Sequence, residues 1–145
     1  MEEMHEAVNR LSDEECWDRL DAQPLGRLVT HVGDVLDIFP VNYVVDSGAV
    51  VFRTAEGSKL FELTVNPEVL FEVDGYSETD AWSVVLRGSA RRLDTSAEVQ
   101  AADELPLRPW IPTLKYNYVR VTPAELTGRA FRIGPEPDRY GSVDS

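Results

Sequence analysis

The sequence predicts a mainly β protein: a closed or split antiparallel β-barrel with a few short helices. Within 145 residues, roughly six or seven short segments alternate between apolar and polar residues and are separated by hairpin-type turns. Only a few short helical segments interrupt them. A parallel, doubly wound sheet would need a long helix between successive strands, and the chain does not supply such helices. The hydrophobic content of 43% is that of a folded protein.

The helices are predicted from capping residues and apolar spacing. Ser12 with Glu15 in the same first turn forms a capping-box pattern, so a first helix is expected at residues 12–22. Its apolar face carries Cys16, Trp17 and Leu20. A second helix is expected at residues 58–65 and a third, exposed one at residues 95–104.

The strands are predicted from alternation with a period of two residues, bounded by turn residues such as Gly33-Asp34 and Asp46-Ser47-Gly48. The predicted strands are residues 27–31, 35–39, 49–54, 69–73, 82–93, 116–121 and 126–133, and residues 41–45 either continue the strand at 35–39 or pair with it. Residues 105–112 are rich in proline and are expected to be irregular. The whole chain is expected to form one domain, with flexible ends at residues 1–10 and 134–145.

The composition excludes several function classes. The net charge of −12 argues against nonspecific binding to nucleic acid or to an anionic membrane surface. Cys16 has no second cysteine to pair with, which fits a reducing compartment. No window approaches the roughly 20 apolar residues of a membrane span. A cytoplasmic protein is therefore expected.

Residues 53–59 gather cations, hydroxyls and a glycine between a predicted strand and a predicted helix. Arg53 offers a planar guanidinium and Lys59 a point charge, which together suit a phosphate monoester. Gly57 permits close approach of the backbone, and Ser58 opens the helix. The alternative is an ordinary strand-to-helix loop with a serine cap and exposed charges.

Three further segments offer positions for a flat heteroaromatic ligand. Asn42, within Pro40-Val41-Asn42-Tyr43, supplies an amide beside an apolar shelf, or it is an exposed residue of an edge strand. Ser83 offers a hydrogen bond and Trp82 a cover, or Trp82 is a core residue at the start of a strand. Trp110 packs over a cleft or a partner subunit, or it anchors its own loop.

The sequence indicates no catalytic residue. His5 and His31 lack neighbouring cysteines or paired carboxylates, so no metal site is expected. Cys16 lies on an apolar helix face and is expected to be structural. The chain has no nucleophile elbow, no phosphate-binding loop of the Walker type and no dinucleotide-binding fingerprint.

Several segments, in this order, resemble a known family. They are Pro-Leu-Gly-Arg-Leu at 24–28, Pro40-Val41-Asn42-Tyr43, Phe52-Arg53-Thr54 with Gly57-Ser58-Lys59-Leu60, Val85-Leu86-Arg87-Gly88-Ser89-Ala90, and Thr127-Gly128-Arg129. The chain resembles the pyridoxamine 5′-phosphate oxidase-like, FMN-binding split β-barrel proteins, in their short branch of nitroimidazole-resistance type. The resemblance covers residues 11–133.

The resemblance implies FMN bound at a homodimer interface. It assigns the flavin phosphate to Arg53, Thr54, Ser58 and Lys59. It places Val41, Asn42 and Tyr43 along the isoalloxazine ring, with Ser83 and Val84 nearby and Trp110 contributed by the partner subunit. Some members of this broad class use a deazaflavin coenzyme instead of FMN, and some bind haem.

The expected function is that of a flavoprotein oxidoreductase that passes hydride or electrons to a small acceptor, with the flavin carrying the chemistry. Oxidation of vitamin B6 is not expected, because the Arg-Xaa-His motif of the true oxidases is absent near Thr127-Gly128-Arg129. Two alternatives are a module that binds or sequesters a flavin or deazaflavin without turnover, and a barrel that has lost its cofactor.

Overall fold

The structure is a computed structural model that describes residues 8–55, 57–108 and 116–135. In this part of the chain the strands are β1 (Val8–Arg10), β2 (Leu25–Val32), β3 (Val35–Asp46), β4 (Ala49–Thr54), β5 (Glu68–Tyr76), β6 (Asp80–Arg92) and β7 (Asn117–Arg132). The helices are α1 (Asp13–Asp21), α2 (Ser58–Val65) and α3 (Ser96–Asp103).

The strands form one antiparallel sheet that closes on itself. Its order is β1-β7-β4-β3-β2-β5-β6, and β6 also pairs with β7. Strands β2 to β7 therefore make a barrel, and β1 extends it by pairing with the end of β7. This arrangement confirms the predicted split antiparallel β-barrel.

The barrel interior is filled by alternate residues of each strand, as the period-two pattern predicts. Fully buried side chains include Leu28, Phe52, Phe71, Leu86 and Val119. A second, smaller cluster lies outside the wall, where α3 covers β4 and β7. Its buried members are Val51, Leu93, Ala102 and Tyr118.

Helix α1 begins with the predicted capping box. The Ser12 hydroxyl accepts from the Glu15 amide at 3.1 Å, and the Ser12 amide donates to the Glu15 carboxylate at 2.8 Å. Cys16 and Leu20 are completely buried against the barrel. Gly128 of β7 makes room for this contact, because a Cβ there would lie 2.5 Å from the Cys16 sulfur.

Strand β3 runs without interruption through Pro40, which settles the alternative that the sequence left open, namely whether residues 41–45 continue the preceding strand or pair with it. Strand β4 pairs only with residues Tyr43 to Asp46 of β3. At Pro40 the strand therefore has a paired neighbour, β2, on one side only. The missing amide proton of proline breaks no ladder on the open side, so the strand continues.

Strand β7 is likewise continuous where two strands were predicted. A β-bulge falls between Arg87 and Gly88 of β6, opposite Pro123 and Glu125 of β7. The bulge accommodates the proline, and β7 stays paired with β6 on both sides of it. Residues 8–10, expected within a flexible leader, form strand β1.

No helix in the described ranges is long and apolar enough to cross a membrane.

Candidate functional site

A cleft of about 480 Å³ lies between the end of α1, the middle of β3 and the segment that follows α3. Its volume is within the range of small-molecule and cofactor sites. Its lining residues are Leu20, Asp21, Ala22, Gln23, Pro24, Asn42, Tyr43, Val44, Val45, Pro106, Leu107 and Arg108. The predicted ring-contacting segment thus borders this cleft.

The side chains in that segment alternate between the core and the cleft. Val41 and Tyr43 point into the barrel and are 4% and 3% exposed, respectively. The Tyr43 ring meets Phe71 edge to face at 4.9 Å, and its hydroxyl donates to the Leu20 carbonyl. Burial, and secondarily Asp21, raises the Tyr43 pKa far above its usual value. Tyr43 is therefore a neutral anchor for α1, not a proton donor to the cleft.

Asn42 faces outward between these two core residues. Its amide donates to the Pro24 carbonyl at 3.3 Å, which ties β3 to the start of β2. The side chain is half-buried. Of this segment, Asn42 and Tyr43 line the cleft.

Arg53 leaves β4 on the same outer face. It lies one residue beyond Phe52, which pairs with Tyr43, and it pairs with Tyr118 of β7. Its guanidinium stacks 4.0 Å from the centre of the Tyr116 ring. The Arg53 Nε is buried and has no hydrogen-bond partner. Among the described residues, every other buried side-chain nitrogen or oxygen has one. An unsatisfied buried donor of this kind costs about 1–3 kcal/mol.

The N-terminus of α2 presents the second predicted cation. Gly57 provides no side-chain cap, and the first turn contains no acidic residue. Lys59 is half-buried, its Nζ lies 5.4 Å from the centre of the Phe39 ring, and burial lowers its pKa. Ser58 is exposed. The helix end therefore offers uncapped amides and a poorly solvated ammonium group.

Arg53 and Lys59 have different aromatic neighbours, Tyr116 and Phe39. Phe39, which Lys59 approaches, is three residues from Asn42 on β3, about 10 Å along a strand. Ion pairs in the described residues involve Arg27, Arg87, Arg91 and Arg120, and neither Arg53 nor Lys59. Thr54 is buried, and its hydroxyl donates to the Ala55 carbonyl.

Ser83 and Val84 lie on β6, with β2 and β5 between them and β3. Three strand spacings separate β6 from β3, about 14 Å around the wall. Val84 is fully buried, whereas Ser83 is half-buried. Trp82 lines a separate cleft of about 520 Å³, where it packs on Gly75. Trp110 lies outside the described residues.

Sequence reasoning missed the residues that surround Arg53. Tyr116 and Tyr118 place aromatic rings against the outer face, and Asp103 at the end of α3 accepts from both hydroxyls. Leu107 extends the cleft wall. The two tyrosines separated by one residue at a strand start were a usable signal, because alternate residues of a strand share a face.

The sequence profile of the pyridoxamine 5′-phosphate oxidase family matches residues 12–130. The chain belongs to this family. An uncharacterized protein of Mycobacterium tuberculosis is 48% identical over 96 residues, which are 66% of this chain and 87% of that protein. These findings confirm the resemblance stated from the sequence.

Two solved structures of similar sequence share the fold of this pyridoxamine 5′-phosphate oxidase family member. A Corynebacterium glutamicum protein, described as a candidate pyridoxamine 5′-phosphate oxidase, is 48% identical with a TM-score of 0.81, covering 89% of this chain and 97% of that chain. The FAD-binding protein of Mycobacterium smegmatis is 45% identical with a TM-score of 0.77, covering 87% of this chain and 100% of that chain.

Proposed function

We propose that this member of the pyridoxamine 5′-phosphate oxidase family is a flavoprotein that holds a flavin nucleotide in the cleft beside β3. The observation that carries the proposal is Arg53, a half-buried cation with an unpartnered Nε and no carboxylate partner in the described residues. A phosphate supplies what this group lacks, namely negative charge and acceptor oxygens.

The phosphate end of the ligand is assigned to Arg53, Ser58 and Lys59. The guanidinium and the ammonium group supply charge, and the uncapped amides at the start of α2 supply directed donors. Thr54 contributes from the rim through its backbone, because its side chain is turned inward. Desolvation of Lys59 strengthens its attraction to an anion, because a ligand phosphate replaces the water that burial has removed.

The ring end is assigned to Asn42 and to the backbone of Val41 and Tyr43. The Asn42 amide and neighbouring main-chain groups orient a planar heterocycle in a cleft lined by both polar and apolar side chains. The 5′-phosphate of the ribityl chain is common to FMN and FAD. FMN is the cofactor expected from the sequence, and the FAD-binding relative at 45% identity makes FAD the second candidate.

Ser83, Val84 and Trp110 enter the proposal through a homodimer. In one chain Ser83 is about 14 Å around the barrel wall from β3. It therefore completes a site only when a second copy brings its β6 against the cleft. Val84 is fully buried and contributes only backbone groups.

When bound, the flavin supplies hydride or electron transfer to a small acceptor. The proposed activity is therefore that of an oxidoreductase, with no particular substrate assigned. The protein binds and orients the flavin and excludes water. Tyr43 does not serve as a proton donor to the cleft, because its hydroxyl is buried and committed to Leu20. This observation favours the alternative of a flavin- or deazaflavin-binding module without turnover.

Flavin binding is tested with the double variant Arg53→Gln/Lys59→Gln. Each charge-assisted contact contributes about 1.5–3 kcal/mol, so FMN affinity should fall by at least about 10²-fold. Riboflavin, which lacks the phosphate, should bind both proteins equally. The matched control is Arg87→Gln/Arg92→Gln, which removes the same charge from exposed positions. Equal FMN affinity in the double variant and the wild type would refute the phosphate site.

The composite site is tested by mixing subunits. Ser83→Trp should block one half of the site, and Arg53→Gln/Lys59→Gln should disable the other. If each site uses two chains, co-refolding the two variants should restore FMN binding at one site per mixed dimer. Failure to restore binding, or a monomer in sedimentation, would contradict the homodimer.

Reduction of bound flavin by NAD(P)H followed by reoxidation with an acceptor separates an oxidoreductase from a binding module.

A further inference from the structure

Asp103 lies where three elements meet: the last turn of α3, the start of β7 and the outer face of β4. Its Oδ1 accepts a hydrogen bond from the Tyr118 hydroxyl at 2.6 Å and lies 3.4 Å from the Tyr116 hydroxyl. One carboxylate oxygen therefore fixes two aromatic side chains on alternate residues of the same strand. Such a shared acceptor restricts the rotation of both rings.

The two rings in turn enclose Arg53. Tyr116 and Tyr118 meet edge to face, with centroids 5.4 Å apart and planes at 78°. The Arg53 guanidinium lies over the Tyr116 ring at 4.0 Å, and Arg53 pairs with Tyr118 across the β4–β7 ladder. A continuous path of contacts thus runs from the carboxylate through both tyrosines to the cation.

We infer that Asp103 is a positioning residue for the phosphate site, because it holds Tyr116 and Tyr118 in the arrangement that fixes the Arg53 guanidinium. The inference rests on the proposed flavin-nucleotide function. The residue acts through the tyrosines, since no ion pair joins Asp103 to Arg53 among the described residues. The guanidinium is oriented without a carboxylate on its own edge, so its charge stays available to a ligand.

Tyr118 is suited to this intermediate position. Burial, and then its hydrogen bond to Asp103, raises its pKa to about 12, whereas the nearby Arg53 cation acts in the opposite direction. The hydroxyl therefore stays protonated at neutral pH and donates to the carboxylate. Tyr116 adds a flat surface that blocks one face of the guanidinium and leaves its edge open.

The same helix end also builds the ring side of the cleft. The residues that follow α3 include Pro106, Leu107 and Arg108, which line the cleft opposite Asn42. Asp103 therefore joins the phosphate end to the wall of the ring end. A purely structural role of Asp103 would weaken the binding of FMN and of riboflavin equally, whereas a positioning role would weaken only the binding of FMN. Comparing the two affinities distinguishes these roles.

The test is Asp103→Asn, which keeps the shape and one acceptor but removes the charge. The expected result is a loss of FMN affinity of about 5–20-fold with riboflavin affinity unchanged, because only FMN uses the guanidinium. Glu104→Gln is the control: it removes the same charge from the adjacent, exposed residue. Its FMN and riboflavin affinities should equal those of the wild type.

A second measurement needs no flavin. Removal of the carboxylate should lower the Tyr118 pKa from about 12. The pKa of Tyr118 in Asp103→Asn is measured by spectrophotometric titration, with Asp103→Asn/Tyr118→Phe as the reference that lacks this tyrosine. If Asp103→Asn does not fold, Tyr118→Phe tests the same path and should also weaken FMN selectively.

Equal losses of FMN and riboflavin affinity, or no change in either, would overturn the inference while leaving the flavin site intact. Wild-type protein that binds FMN no better than riboflavin would refute the proposed function itself, and the inference with it.

Discussion

Gly128 allows α1 to seat on the barrel, and its replacement by alanine tests how that helix is held. A Cβ at this position would lie 2.5 Å from the Cys16 sulfur and 3.0 Å from Cδ1 of Leu11. Ordinary contacts begin near 3.4 Å. Cys16 is completely buried, so the sulfur has no free direction in which to move.

Relief of this overlap requires α1 to shift outward by almost an ångström. Overpacking of this kind costs about 1–3 kcal/mol, so Gly128→Ala should lower the free energy of unfolding by that amount. Cys16→Ala alone should cost about 0.5–1.5 kcal/mol, because it removes one buried heavy atom. In the double variant the new methyl group occupies the space left by the sulfur, so the loss should be smaller than the sum of the two.

Urea denaturation of the four proteins gives this cycle directly, and Gly134→Ala is the control, since nothing lies within 4 Å of a Cβ there. Because α1 also forms one wall of the cleft, FMN affinity should fall in Gly128→Ala and recover in the double variant. Additive effects of the two substitutions, or a Gly128→Ala protein as stable as the wild type, would refute the proposed contact.

Three further predictions follow from single side chains. Tyr43→Phe should lower the free energy of unfolding by about 1–2 kcal/mol, since the Leu20 carbonyl loses its buried donor; an unchanged urea midpoint would contradict this. Burial, and then Asp74, raises the Glu72 pKa from 4.5 to about 7. The folded state therefore holds a proton that the unfolded state has lost, and stability falls as pH rises from 4.5 to about 7. Glu72→Gln removes this pH-dependent loss. Between pH 5 and pH 8 in urea titrations, the free energy of unfolding of Glu72→Gln should therefore rise relative to the wild type by about 1 kcal/mol, after allowance for solvent screening. A difference that does not depend on pH would contradict this prediction. Burial lowers the Lys59 pKa, so wild-type FMN affinity should fall with rising pH before an ordinary lysine would lose its charge, whereas Lys59→Arg should keep its affinity; parallel pH profiles would argue against contact with the phosphate.

The sequence was most informative where local chemistry decides structure. The capping box at Ser12 and Glu15 and the burial of Cys16 and Leu20 were predicted and are confirmed. The alternation along β6 was predicted correctly, because the buried face of a strand must repeat every second residue. The strand ends beside two prolines were predicted less well: a break at Pro40 was left open and one between residues 121 and 126, which flank Pro123, was expected, but both strands are continuous.

Those breaks did not occur because a proline interrupts a strand only where its missing amide proton is needed. Whether it is needed depends on the neighbouring strand, which the local sequence does not specify. Pro40 lies where β4 is not paired with β3, and Pro123 lies at a bulge opposite Gly88. Strand β1 was missed for a similar reason, since all three of its residues are exposed and it is stabilised by pairing with β7.

The candidate site divides in the same way. The residue types that attract a phosphate, Arg53 and Lys59 beside a helix start, are evident in the sequence, as are the strands that carry them. Only the tertiary structure decided which side chains border the cleft and which neighbours Arg53 has: Tyr43 turned into the core, Asn42 faced the cleft, and Tyr116, bonded to Asp103, stacked on Arg53. Residue chemistry is local, but the environment of a side chain is set by chain segments that the barrel brings together from distant positions. For this protein the sequence therefore determined the fold class and indicated the kind of ligand we propose, and barrel closure determined which side chains lie together at the proposed site.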